Sequence, residues 1–268
     1  MYWRDKVCLI TGGSAGLGLA IAQALAERGA RVVITARRQE PLDAAAADLR
    51  KIGATVLPIA GDVVWQEDVD RIATVVGSEF GRLDMLCNSA GRSTRGAVLD
   101  TSPEDFQQLL DVNFLATVRM TRALAPLLLA SRGHVVNIGS LAAKVAAPYM
   151  GAYPASKFPL AAYSQQLRLE LAPQGLHVLL VCPGPIARDD AGSRYIASTP
   201  GVPAAAQAPG GGAKIKAIDP ARLAGDVLKA CERRRAELVV PAKARWLFAI
   251  AQLAPSWGDW LLRRSTGG

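Results

Sequence analysis

Apolar and polar positions along this chain fall into two rhythms. Short apolar runs, several rich in β-branched residues, recur at Val7–Thr11, Arg31–Thr35, Thr55–Ala60, Leu83–Asn88, Gly133–Ile138, His177–Cys182 and Glu237–Val240. Between them lie longer segments in which apolar residues return every three or four positions, near Leu17–Arg28, Glu40–Ile52, Trp65–Phe80, Pro103–Ala130, Ala152–Ala172 and Pro220–Arg233. The first pattern predicts strands and the second amphipathic helices. Strand runs that are apolar at consecutive positions are expected where both faces of a sheet are covered. The alternation therefore predicts an α/β fold: about seven parallel strands with helices on both faces.

Two segments break the rhythm. Residues 188–218 contain PGVPAAAQAPGGGAK, too rich in Gly, Pro and Ala for a helix or a strand. A loop of that length in a compact domain is usually functional or disordered, and we read it as a lid over a substrate site in preference to a plain insertion. Residues 243–264 hold RWLFAIAQLAPSWGDWLL, an apolar arm interrupted at Pro255. Such an arm can pack on the protein or its oligomer, wall a substrate pocket, or lie on a membrane surface as a peripheral contact. Packing is the commonest fate of an apolar stripe.

Composition narrows the picture. With 268 residues, 50% hydrophobic and 20% charged, the chain can bury one large core, so residues 1–268 are expected to form a single domain. The net charge is +8, and basic residues crowd the last fifth at Arg233, Arg234, Arg235, Lys243, Arg245, Arg263 and Arg264. We read these as a solvated face that helps to capture a polyanionic cofactor. Nucleic acid is not expected as a partner, because aromatics make up only 6% and no recognition motif accompanies the charge. The cysteines Cys8, Cys87, Cys182 and Cys231 stand far apart, and three of them fall in strand-like runs, which points to buried, reduced thiols in a cytoplasmic protein. His134 and His177 lack the spacing of metal ligands, so no metal site is expected. The start, MYWRDKVCLITGG, has no signal-peptide pattern, and no uncharged stretch reaches the roughly 18 residues of a membrane span.

The first strand runs directly into Thr11-Gly12-Gly13-Ser14-Ala15-Gly16-Leu17-Gly18 and then a helix. Glycines suit a tight turn whose backbone must approach a pyrophosphate and whose helix must pack close to the strand. The positive helix end and its unpaired N–H groups would then receive the phosphates. The second strand ends Thr35-Ala36-Arg37-Arg38, without the carboxylate that accepts a ribose 2′-hydroxyl in NAD sites. Arg37 and Arg38 can cap a strand at the surface, or they can bind a 2′-phosphate through paired hydrogen bonds. Beside the glycine turn, we favour the second reading and NADP as cofactor.

With these residues in view, the chain resembles the short-chain dehydrogenase/reductase family over nearly its whole length. The turn has the family spacing TGxxxGxG. Asp62-Val63 matches the pair that holds the adenine, and Asn88-Ser89-Ala90-Gly91 matches NNAG with Ser in place of the second Asn. Asn113 in DVNF, Ser140 in NIGS and Tyr153-Pro154-Ala155-Ser156-Lys157 match the active-site Asn, Ser and YxxxK, with Tyr153 thirteen positions after Ser140. Pro183-Gly184-Pro185-Ile186 matches PGxI. The resemblance implies a Rossmann-like, doubly wound domain and a hydride transfer between NADP(H) and a ketone or secondary alcohol. It implies catalytic roles for Asn113, Ser140, Tyr153 and Lys157. It places Gly12, Ser14, Gly16, Leu17, Gly18, Arg37, Arg38, Asp62, Val63, Asn88, Ala90, Gly91, Tyr153, Lys157, Pro183, Gly184 and Ile186 at the cofactor. It also implies a homodimer or homotetramer built through the segments Pro103–Ala130 and Ala152–Ala172.

The residue chemistry agrees with the implied roles. Tyr and Lys at i and i+4 share a helix face. An unperturbed phenol titrates near pH 10, too high for a proton acceptor at neutral pH, and a nearby ammonium lowers it. By the family pattern Lys157 also binds the nicotinamide ribose, Ser140 holds the substrate oxygen, and Asn113 supports a water relay to Lys157. Three departures stand out: Arg188 occupies the position where the family often has a Thr that contacts the carboxamide, Ala15 replaces a basic residue of some NADP-preferring members, and Pro159 threatens an irregularity just after Lys157. A carbonyl reductase acting on a lipophilic small molecule is the leading reading. An NADP(H)-sensing regulatory protein is the alternative, and it would be expected to have lost Tyr153 or Lys157.

Overall fold

The computed structural model describes residues 1–188, 202–203, 206, 210–212 and 215–266. Most of the 188–218 segment read as a lid therefore lies outside the described residues. Seven parallel strands form one sheet: β1 (Val7–Thr11), β2 (Arg31–Ala36), β3 (Val56–Ala60), β4 (Met85–Asn88), β5 (His134–Ile138), β6 (His177–Pro183) and β7 (Glu237–Val240), in the order β3-β2-β1-β4-β5-β6-β7. The chain winds outward from β1 in one direction and from β4 in the other. The switch point between β1 and β4 opens a crevice at the carboxyl ends of the strands, where ligands bind in such sheets.

The continuous apolar runs have the predicted cause. In β1, every residue is buried, and alternate side chains enter different cores. Cys8 and Ile10 join Val32, Ile34, Val136 and Val181 on one face. Here they meet α1 (Gly16–Ala26), α2 (Gln39–Lys51) and α7 (Pro220–Glu232) through Ile21, Leu25, Leu42, Leu49, Val227 and Leu228. Val7 and Leu9 join Val33, Leu86, Val135 and Val178 on the other face. That side is covered by α3 (Gln66–Phe80) and α5 (Ala116–Ala130) through Val69, Ile72, Met120 and Leu124. Each such fully buried aliphatic side chain stabilises the fold by about 1.5–3 kcal/mol relative to exposure. All four cysteines are free and buried.

One predicted helix is corrected. The stretch 103–130 is not one regular helix but α4 (Pro103–Leu110), a π-helical turn at Asp111–Leu115, and α5. Ser102 and Asp105 form a reciprocal cap at the start of α4. The wider turn turns Asn113 inward, where it is almost fully buried. By length and composition this stretch could cross a membrane. In this fold Leu109, Met120, Leu124 and Leu128 are buried in the protein core.

A second correction concerns Pro159, which leaves α6 (Tyr153–Leu171) unbroken. The C-terminal arm forms α8 (Ala244–Leu253) and α9 (Pro255–Thr266) on either side of Ala254. The two helices pack on each other where Gly258 meets Ala251, so closely that a Cβ on Gly258 would lie 2.6 Å from the Ala251 Cα. Of the arm's large side chains, Trp246, Leu253, Trp257 and Trp260 point outward from the chain.

Candidate active site

The loops after β1, β4, β5 and β6 meet at the switch point and enclose a cleft of about 860 Å³. Register explains their alignment, since Thr11 pairs with Asn88 and Asn88 with Asn137, so the three strands end together. Thr11 then ties two of the loops. Its buried Oγ1 accepts hydrogen bonds from the N–H groups of Ser89 and Ala90, each at 3.0 Å. The turn itself is anchored to β2, with Gly12 N donating to the Thr35 carbonyl at 2.8 Å.

Two glycines are required by close approach. A Cβ on Gly18 would overlap the Gly12 carbonyl oxygen, so any side chain there would push α1 off the turn. A Cβ on Gly91 would lie 2.7 Å from Asn113 Oδ1. Gly12 and Gly16 take positive φ values, 68° and 54°, which glycine adopts without penalty. The start of α1 has no side-chain cap and no acidic residue in its first turn. Its unpaired N–H groups and positive end thus face the cleft, a fit for an anionic diphosphate. Gly12, Ser14, Gly16, Leu17 and Gly18 line the cleft here.

Farther along the same wall lie Arg37, Arg38, Asp62 and Val63. Both arginines are exposed, and no carboxylate stands at the end of β2. Asp62 folds back to accept from the Val64 N–H at 3.1 Å, which shapes the corner beside them. At the other end are Ala90, Gly91, Ser140, Tyr153, Lys157, Pro183, Gly184 and Ile186. Asn88 is the exception among the strand-end residues, because its side chain points into the sheet. It donates to Asn137 Oδ1 at 2.9 Å and to Thr121 Oγ1 at 3.3 Å, and it does not line the cleft.

Ser140 begins a 3₁₀ turn and accepts from the Ala142 N–H at 3.1 Å, which holds its hydroxyl at the cleft. Lys157 is buried, and its Nζ donates to the Ile138 carbonyl at 2.9 Å. Burial pushes its pKa down to about 8, so its hold on the proton is weak but still intact at neutral pH. The Asn113 side chain is held by its neighbours. Its Nδ2 donates to Arg92 O (2.9 Å) and Ser156 Oγ (2.8 Å), and its Oδ1 accepts from Arg92 N (2.9 Å). Both amide donors are thus used structurally, and a relay through this position must start from the main chain. Ser156 completes the link by donating to the Tyr153 carbonyl at 2.7 Å. Ser156 and Thr11 are positioning residues that motif matching passed over; each sits inside a motif, and the signal was the need of a buried hydroxyl for partners.

Among the described residues, a cluster of potential ligands, His134, His177 and Cys231, lies at the opposite, amino-terminal ends of the strands. His134 and His177 are the first residues of β5 and β6, and they share a hydrogen bond between their Nδ1 atoms at 2.8 Å. Tyr2 bonds the outer nitrogen of His134, and the Arg235 carbonyl that of His177, both at 2.8 Å. Burial lowers both imidazole pKa values, His134 to about 3, and keeps the pair neutral. Hydrogen bonding therefore accounts for all four ring nitrogens.

A family model described as short chain dehydrogenase matches residues 6–195. A "Dehydrogenase/reductase SDR family protein 7-like" from Anopheles gambiae is 32% identical over 98% of this chain and 84% of its own length. Of the "Uncharacterized oxidoreductase YxnA" from Bacillus subtilis, 36% identical over 68% of this chain, the matched stretch is about half of the protein. Among solved structures, L-sorbose reductase from Gluconobacter frateurii, complexed with NADPH and L-sorbose, superposes with a TM-score of 0.76 at 28% identity, covering 88% of this chain and 95% of that one. A metagenomic short-chain oxidoreductase in complex with NADP superposes at 0.71 with 30% identity, covering 89% and 96%.

Proposed function

The chain belongs to the short-chain dehydrogenase family of nicotinamide-dependent oxidoreductases, and from that premise we propose that it is an NADP(H)-dependent carbonyl reductase. The observation that carries this reading is the meeting of Ser140, Tyr153 and a buried Lys157 with an uncapped, glycine-rich helix start in one cleft. When bound, the nicotinamide supplies or takes the hydride. Ser140 holds the substrate oxygen, and Tyr153 gives that oxygen a proton in reduction or removes one in oxidation. The Lys157 ammonium favours the phenolate and binds the nicotinamide ribose. Its cation is held in a low-dielectric setting, where it acts more strongly on the phenol than it would in water. The Asn113–Ser156–Tyr153 chain fixes the start of α6 and with it the direction of the phenol. Met150 and Val112 supply apolar wall at the substrate end, with the hydrogen-bonded Arg92–Gln108 pair beside them. We read the substrate as a lipophilic ketone or secondary alcohol.

NADP preference rests on Arg37 and Arg38 at the end of β2. A charge-assisted pair with the 2′-phosphate is worth about 1.5–3 kcal/mol, or roughly 10- to 100-fold in affinity. Arg37→Asp is expected to weaken NADPH binding by about that factor and to improve NADH binding. Titration of both cofactors measures it; unchanged NADPH affinity would remove Arg37 from the 2′-phosphate site.

We further propose that the α8–α9 hairpin makes a peripheral contact with an anionic lipid surface. Trp246 is 76% exposed, Leu253 86%, Trp257 71% and Trp260 55%, too much outward apolar area for a surface that meets only water. Lys243, Arg245, Arg263 and Arg264 flank these residues against a single carboxylate, Asp259. Tryptophans ringed by cations suit the headgroup boundary of an anionic bilayer. Removal of residues 243–268 is expected to abolish co-sedimentation with phosphatidylserine vesicles. Equal sedimentation of the full and truncated chains would refute the contact.

A further inference from the structure

We propose that Arg188 is a cationic clamp on the diphosphate of the bound cofactor. The inference rests on the nicotinamide-dinucleotide reading of the cleft, and it gives a function to the residue that departs from the family pattern. Gly16 opens α1, and among the described residues a methyl group placed on it would meet Arg188, with Nη1 3.5 Å away. The guanidinium thus stands over the turn where the first-turn N–H groups of α1 are uncapped. Arg188 lines the same cleft as Ser14, Gly16 and Gly18, although it follows β6 on the far side of the switch point.

Its approach to the turn is built into the backbone. Ile186 pairs with Ile218 in an isolated parallel bridge, Ile218 N donates to the Pro185 carbonyl, and Ala187 N donates to the Ile218 carbonyl, the last two at 2.8 Å. The main chain is therefore fixed up to one residue before Arg188, and the side chain extends from a fixed base. A threonine side chain at this position would be several bonds shorter and would carry no charge. The arginine carries a permanent charge and a planar fork of donors that matches two phosphate oxygens. The helix start supplies N–H groups from one side and Arg188 supplies charge from the other. A diphosphate between them is neutralised on both sides.

The clamp and the 2′-phosphate site make separable predictions, because the diphosphate is common to NADPH, NADH and ADP-ribose. Binding of each ligand to the full chain is measured by titration calorimetry, with the melting temperature as a control for folding. Arg188→Ala is expected to raise the dissociation constants of all three by one common factor, about tenfold, the lower end for a charge-assisted contact at an exposed site. Arg188→Gln, which keeps most of the length without the charge, should show the same uniform loss. A loss confined to NADPH would assign Arg188 to the 2′-phosphate and overturn the clamp. A loss for NADPH and NADH that spares ADP-ribose would assign it to the carboxamide and also overturn it, as would unchanged binding of all three. Should Arg37→Asp leave NADPH affinity untouched while Arg188→Ala weakens all three ligands alike, the NADP preference falls and the clamp stands.

Discussion

Tyr153→Phe is expected to lower ketone turnover by about 10³-fold while NADPH binds as it does to the parent chain, since a positioned acid–base group contributes about 10²–10⁴. The substitution removes one oxygen and leaves the ring. The anchoring of α6 runs through the Tyr153 carbonyl, which accepts from Ser156, so it is untouched by the change. The glycine turn and the uncapped start of α1 lie on other elements and keep their phosphate contacts. A loss in turnover that leaves cofactor affinity unchanged is the signature of an interaction made in the transition state. Turnover within tenfold of the parent, with NADPH consumption as the readout, would exclude the phenol as the proton donor.

Lys157→Met is expected to abolish turnover to a similar degree and, in the cofactor-free protein, to raise the melting temperature at pH 7. Burial lowers the Lys157 pKa from 10.5 to about 8, so keeping the ammonium inside costs the free protein stability. At 1.36 kcal/mol per unit, that cost is roughly 3 kcal/mol as an upper bound. Methionine removes it, fills a similar volume and gives up the bond to the Ile138 carbonyl, worth about 1 kcal/mol. A net gain of about 1–2 kcal/mol corresponds to a rise of roughly 3–6 °C for a domain of this size. The sign also sets a pH dependence. Between about pH 8 and 10.5 the unfolded chain holds a proton that folded Lys157 has released, so parental stability gains with pH across that window relative to the variant. The advantage of the variant should therefore shrink between pH 8 and 10. A variant that melts below the parent at pH 7 would show that the ammonium is not a burden on the free fold.

The strands were the most legible part of the sequence, because burial on both faces imposes an unmistakable run such as Val7–Thr11. Helix existence was also legible from periodicity, but the π-helical turn at Asp111–Leu115 was not. One extra residue per turn leaves apolar spacing almost unchanged over five residues while it rotates Asn113 into the interior. The cofactor residues could be read as motifs, and the cleft gathers nearly all of them; Asn88 instead spends its amide inside the sheet. The engagement of Asn113 by Arg92 and Ser156 could not be read, since it joins residues 21 and 43 positions apart. For Arg188 the sequence showed only a mismatch, and the direction of the side chain emerged from the bridge that fixes the preceding backbone. The arm was legible as an apolar stretch interrupted at Pro255, but not its division into two helices or which side chains would face outward.

That same bridge bears on how the length of the chain between its two ends can vary. By joining Ile186 to Ile218, the protein closes the base of the intervening segment with main-chain hydrogen bonds. Closing a loop costs little more when the loop grows, about 0.6 kcal/mol for each doubling of its length. A change in the number of residues between the two posts would thus leave the posts paired, provided that Arg188 and the Ala206 carbonyl that accepts from Arg95 are kept. The posts belong to the frame that carries the chemistry, so such a change need not disturb the proton-transfer group.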